Sequence, residues 1–181
     1  MKNRFLGLVL SFIIGFYAVS PTFAAVTATV SAVPTGTLDY NLPYPGILPD
    51  HPLYKIKLLR DRILMFVTKD PIRRVNLQLL MSDKQLVMGQ LLWEKGKNDL
   101  AITTLSKSEK DLLTVVTNLV QLKKTSALSE GLADKVELAA KKHEETISKL
   151  VSTVDDSAKK KELETILEIT HQAIQQVSLA K

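Results

Sequence analysis

The chain has 181 residues, with 24 lysines and arginines against 19 aspartates and glutamates, a formal charge of +5, and no cysteine. That length suits one ordinary domain. The lack of cysteine excludes a disulfide framework, thiol catalysis, cysteine zinc sites and a lipid anchor on an N-terminal cysteine. The mild basicity, with no arginine-rich tract and no aromatics interleaved with basic residues, gives no ground for nucleic-acid binding.

Residues 1–24 read as a secretory signal peptide. Lys2 and Arg4 form a charged start, Phe5 to Val19 is an apolar run, Ser20-Pro21 breaks it, and Thr22-Phe23-Ala24 offers small residues where a signal peptidase reads. Cleavage after Ala24 removes Lys2 and Arg4 and no acid, lowering the formal charge from +5 to +3. The expected location is therefore outside the cytoplasm, in the cell envelope or the extracellular space. Retained, the same segment would be a membrane tether, since no charge falls between Arg4 and Asp39. Residues 25–39, rich in Ala, Thr, Val and Ser, read as a flexible linker.

A helical domain is expected over 40–181, opening with a proline-rich strip over 40–52. Four prolines in that strip impose extended backbone, and Gly46 permits a turn after Pro45. Tyr40, Leu42, Tyr44, Ile47 and Leu48 make the strip apolar, so it either drapes over the helices or docks a partner. Beyond Pro71 there is no proline in 110 residues, and only Gly89, Gly96 and Gly131 among the glycines. Such a stretch can be helix almost throughout.

The first helix is expected to start near Pro52 with Asp50 as its cap, and Leu53, Ile56, Leu59, Ile63 and Phe66 form one face of it. Asp70 caps the second helix, which has Pro71 at its first position and runs to about Lys95. Its stripe is Ile72, Val75, Leu79, Ser82, Leu86, Gly89 and Trp93, and Gly96 suits its C-terminal end. The third helix spans about Asn98 to Lys124, with Ala101, Leu105, Ser108, Leu112, Val115, Leu119 and Leu122 on a coiled-coil-like heptad seam. Ser106 with Glu109 fits a capping box and so marks a possible break. The fourth helix reaches about Val154 through Leu132, Val136, Ala139, His143, Ile147 and Leu150, with Glu137–Lys141 and Glu145–Lys149 as exposed pairs. The Asp155-Asp156-Ser157 cluster opens the fifth, which carries Leu163, Ile166, Thr170, Ile174 and Val177. The expected fold is all-α: an elongated up-and-down bundle of four long helices plus a shorter N-terminal one, preceded by the extended strip.

No catalytic constellation occurs. There is no Gly-x-Ser-x-Gly elbow and no phosphate-binding glycine loop, and none of His51, His143 and His171 has a second histidine three or four residues away. No cofactor and no metal site is expected, and a hydrolase is the least favoured class. His143 on its apolar stripe reads as a packed, hydrogen-bonded histidine. Arg60, Arg62, Arg73 and Arg74, with Asp61 and Asp70, read either as a salt-bridged junction or as a basic patch for an anionic envelope polymer or phospholipid headgroups.

The segments LPYPGILPDHPLYKIKLLRDRI, TKDP, SDKQL and EKGKNDLAITTLSKSEKDLL, with Lys142-His143, resemble a group of exported bacterial helical proteins classed as a domain of unknown function. The resemblance departs at Ser82 and Gln85, where Ala and Arg are typical. It implies export and an all-helical domain, and supplies no activity. The expectation is a non-enzymatic interaction module of the envelope or extracellular space, whose partner is a protein or an anionic polymer. Its candidate contact surface comprises Tyr40, Leu42, Tyr44, Ile47, Leu48, Arg60, Arg62, Arg73 and Arg74. The alternative is an envelope metal or stress sensor using His143 and nearby acids.

Overall fold

Five helices follow one another in the computed structural model, which describes residues 39–125 and 128–180. They are α1 (Tyr54–Val67), α2 (Pro71–Glu94), α3 (Asn98–Lys124), α4 (Leu132–Thr153) and α5 (Ser157–Val177), closed by a 3-10 turn at Ser178–Ala180. No strand occurs among the described residues, and the all-α architecture expected from the sequence is the one adopted. The signal segment, and the linker up to residue 38, lie outside the described residues. At 27 residues α3 is about 40 Å long. The four long helices pack side by side, consistent with an up-and-down arrangement: α3 lies against α2 and α5, and α5 lies against α4.

The helix ends follow local chemistry. Asp70 accepts from the Arg73 backbone N–H (2.6 Å) and Pro71 takes the first position of α2. Gly96, at φ +71°, ends that helix. Its N–H reaches Trp93 O (2.9 Å) and the Lys97 N–H reaches Leu92 O (2.9 Å), the two bonds of a Schellman motif. Asp156 caps α5 by accepting from Ala158 and Lys159 N–H, and its carboxylate also pairs with the Lys159 ammonium (2.8 Å). That contact explains how a first turn carrying three lysines is tolerated against the helix dipole.

Four expectations are corrected. Asp50 does not cap α1, which starts later, after Leu53. Asp50 pairs instead with Lys97 (2.8 Å) and Lys95 (3.4 Å), where the C-terminal end of α2 gathers two cations. No break occurs at Ser106, because Glu109 is buried inside an unbroken α3 rather than turned back on a cap. Glu145 pairs with Lys142 (3.1 Å) and not with Lys149, whereas Glu137 does pair with Lys141 (2.6 Å). Finally, Leu53, Ile56, Leu59, Ile63 and Phe66 are exposed rather than packed into the bundle. No residue of α1 is buried, and the helix leans on its neighbours through Tyr54, Lys57, Leu58, Asp61 and Met65.

The α2–α3 contact is the most intimate, and small residues permit it. Ser82 and Gly89 on one helix, and Ala101 and Ser108 on the other, sit seven residues apart on their seams and are buried. Each serine donates its hydroxyl to the other's backbone carbonyl, at 2.9 and 3.0 Å. A Cβ on Gly89 would stand 2.5 Å from Cγ and Cδ2 of Leu105, which has no room to yield because it is fully buried. Gly89→Ala gains helix propensity of up to about 1 kcal/mol but overpacks this seam at a cost of about 1–3 kcal/mol. The expected net result is a destabilisation of about 1 kcal/mol in urea unfolding. A stabilised variant would show that the helices separate freely here.

The core divides into two apolar clusters. One gathers Val75, Leu79, Leu112, Ala140, Ala173 and their neighbours, and the other Leu86, Leu105, Ile147, Leu163 and Ile166. Each of the four long helices places at least one buried polar residue, in sequence, between a member of the first cluster and a member of the second, and one from each helix joins a shared hydrogen-bonded layer. These are Asp83, Glu109, His143 and Thr170.

Candidate functional site

Those four residues form a connected polar layer across the bundle. His143 on α4 holds two carboxylates on opposite sides of its ring. Nδ1 lies 2.8 Å from Glu109 Oε1 on α3, and Nε2 lies 3.1 Å from Asp83 Oδ1 on α2. The second oxygen of each carboxylate is also satisfied. Thr170 on α5 donates to Glu109 Oε2 (2.9 Å), and Tyr40 from the proline-rich strip donates to Asp83 Oδ2 (2.7 Å). His143 and Glu109 are fully buried, and Asp83 nearly so. A histidine facing a carboxylate at each nitrogen must carry a proton on both.

Burial opposes that cation. The charge of Glu109 and the hydrogen bonds to Asp83 and Glu109 outweigh it, and the imidazole is pushed up to about 9. Burial, then the Asp83 charge and hydrogen bond, push the Tyr40 phenol far above its usual range, so it stays a donor. The layer is closed to solvent, and both ring nitrogens are taken. It therefore has no free lone pair for a metal and no face for a substrate. Among the described residues no group of three or more His, Asp and Glu side chains is placed to hold a metal ion.

His143 is thus the packed, hydrogen-bonded histidine that its stripe implies. Asp83 is the innermost acid of α2, 4 % exposed. His171 is half-exposed and sits 3.0 Å from Glu144 at the surface.

The candidate contact residues divide between bundle and solvent. Tyr40 packs on the first apolar cluster and Leu42 on the second, with Pro45 buried between bundle and strip. Leu48 is half-buried, while Tyr44 and Ile47 face outward. The strip is pinned by Lys57, which donates to the Pro45 carbonyl (3.3 Å) and reaches Met88 Sδ (3.6 Å). Arg60 pairs with adjacent Asp61 (2.7 Å), and Arg62, Arg73 and Arg74 are exposed. Asp70 caps α2 rather than bridging to these arginines.

Beside them lies the α1 face that the sequence marks by its spacing but whose exposure it does not reveal. Ile56, Leu59, Ile63 and Phe66 are exposed to 64, 59, 55 and 75 %, in one stripe along the outer side of α1. Single exposed apolar residues are ordinary, whereas four large ones on one helix face are not.

A family model for the domain of unknown function DUF5667 matches residues 46–157. The chain belongs to the DUF5667 family. No curated protein matches it, and no solved structure does. The DUF5667 region begins at Gly46 and ends at the start of α5, so it contains α1 with its exposed stripe as well as Asp83, Glu109 and His143. Tyr40 and Thr170, the two hydroxyl donors that complete the polar layer, lie outside the matched segment on either side. Between α1 and the pair α2–α3 of this DUF5667 domain runs an open cleft of about 470 Å³, lined by Tyr54, Leu58, Met65, Met81 and Asp111 among others, with Arg62 and Phe66 at its rim. The cleft separates α1 from the bundle proper. No helix among the described residues is long and apolar enough to cross a membrane.

Proposed function

We propose that this DUF5667 protein is a non-enzymatic binding module, exported to the cell envelope or the extracellular space, and that it works through the outward surface of its N-terminal part. The observation that carries this reading is α1 itself. A helix with no buried residue and a stripe of four large apolar side chains in solvent is costly to maintain unless something covers it. Tyr44 and Ile47 of the strip are exposed too, and so are Arg60, Arg62, Arg73 and Arg74. Tyr40, Leu42 and Leu48 serve this surface from beneath, by fixing the strip to the bundle. The polar layer supports the same reading from the other side, since its one histidine is closed off and offers no reactive face.

The test is retention on isolated envelopes of the producing cell. The parent should be retained, and Arg73→Glu/Arg74→Glu should be retained at least tenfold less, with an unchanged melting curve because both residues are exposed. Equal retention of the two proteins, or recovery of the parent from the cytoplasm alone, would refute the proposal. The sensor alternative requires His143 to release a carboxylate before it can ligate a metal. A stoichiometric calorimetric signal with a divalent transition metal, abolished by His143→Ala, would put that alternative first.

A further inference from the structure

Resting on this reading of α1 as a contact surface, we infer that the occupant of the surface is an anionic lipid bilayer, with α1 lying flat in its headgroup region. At about 100° per residue, Ile56, Leu59, Ile63, Phe66 and Val67 fall within an arc about 100° wide. The arc is opposite the side through which Tyr54, Leu58, Asp61 and Met65 lean on the bundle. Lys55 and Arg62 border one edge of the arc, and Arg60 lies at the other, with the exposed Leu64 beyond it. An apolar stripe framed by cations, on a helix too short to span, is the form of a helix that lies in a membrane interface.

Charge decides among the possible occupants. Residues 54–74 hold seven lysines and arginines against two aspartates, a net +5 equal to that of the entire chain. A second copy docking by the same face would bring like charge against like. The chain before Asp39 contains no acid at all, so it offers Lys55, Arg60 and Arg62 no complement. Anionic headgroups supply that complement, and the acyl boundary beneath them receives the stripe. Because the bundle sits on the opposite side of α1, it stays in water when the stripe is immersed.

The absence of cysteine makes a clean test available. Ile63→Cys in the chain beginning at Ala25, which lacks the apolar run Phe5 to Val19 that would itself enter any vesicle, carries a single environment-sensitive fluorophore. With vesicles of phosphatidylglycerol and phosphatidylcholine the emission should shift to the blue, with pure phosphatidylcholine it should not, and added salt should weaken the response. Ile56→Ser/Phe66→Ser should lower vesicle partitioning at least tenfold at an unchanged melting temperature, since both side chains are already exposed. Any of three results overturns the inference: no blue shift on anionic vesicles, partitioning indifferent to the two serines, or a concentration-dependent dimer in sedimentation that the two serines abolish. A fourth result separates it from the broader reading. If the parent ignores vesicles, yet delipidated envelope polymer retains it and not the double-serine variant, the lipid falls and the binding module stands. Failure of both defeats both.

Discussion

His143→Ala is expected to cost about 3–5 kcal/mol. The loss does not come from packing alone. Removing the imidazolium leaves Asp83 and Glu109 facing each other in a closed layer, with only Tyr40 and Thr170 to solvate them. A buried charge stripped of its partner loses far more than the pair had contributed. For a chain of this size the melting temperature should fall by roughly 10 °C, with a matching drop in the urea midpoint. The mechanism has its own signature. Adding Asp83→Asn and Glu109→Gln to the His143→Ala protein removes both orphaned charges, so it should recover at least about 1 kcal/mol rather than lose more. Additive losses along that series would mean the two acids do not depend on the histidine.

The same layer offers a reason for its own existence. Its members come one from each long helix and from the strip, and each helix member is flanked in sequence by the two apolar clusters. Sliding any helix by one turn would carry a charged group into one cluster or the other. Apolar cores tolerate such slips far better than a hydrogen-bonded ion triad does, so we take the layer as the device that fixes helix register, as single buried polar residues do in coiled coils. This hypothesis has a plain test: an all-leucine replacement of Asp83, Glu109 and His143 should stay helical but broaden its amide spectrum into several conformers. One sharp set of resonances would refute it.

Helices, caps and most of the seams were legible in the sequence because they depend on neighbours along the chain. Pro71 and Asp70 at one end of α2 and Gly96 at the other are local signals, and α2, α3 and α4 end within a residue of their expected bounds, whereas α5, expected to run to the C-terminus, gives way to the 3-10 turn after Val177. All seven positions of the α3 seam are buried, as their spacing implies. Asp83 and Glu109 were not legible, because an acid beside a stripe looks the same whether it meets water or a histidine from a helix 60 or 34 residues away. The usable signal was indirect. His143 on an apolar stripe needs partners for two nitrogens, and Asp83 and Glu109 each adjoin the serine that interrupts the facing seam. The outward turn of α1 was hidden for a different reason. Its periodicity is that of an amphipathic helix, and periodicity states that a face exists without stating which face the bundle takes.

Stability should also fall as the solution is made alkaline, and earlier than for an ordinary helical protein. The folded imidazole titrates at about 9 against 6.5 for the free group. A folded value raised above the unfolded one means that the native state holds an extra proton between the two. The stabilisation is therefore complete below about pH 6.5 and is lost as pH climbs through about 9. The interval corresponds to about 3 kcal/mol. The groups facing the ring are Asp83 from α2 and Glu109 from α3, with Thr170 from α5 and Tyr40 from the strip behind them. The Tyr40 phenol, also raised, adds a loss of the same sign only above about pH 10, where unfolded tyrosine begins to ionise. Urea unfolding at intervals from pH 6 to pH 9.5 should thus show a steady decline in the parent and a nearly flat line in the Asp83→Asn/Glu109→Gln/His143→Gln variant, whose layer has no group left to titrate there. A parent as flat as the variant would mean that the imidazole is neutral in the fold, and one of its two carboxylates would then have to hold the proton instead.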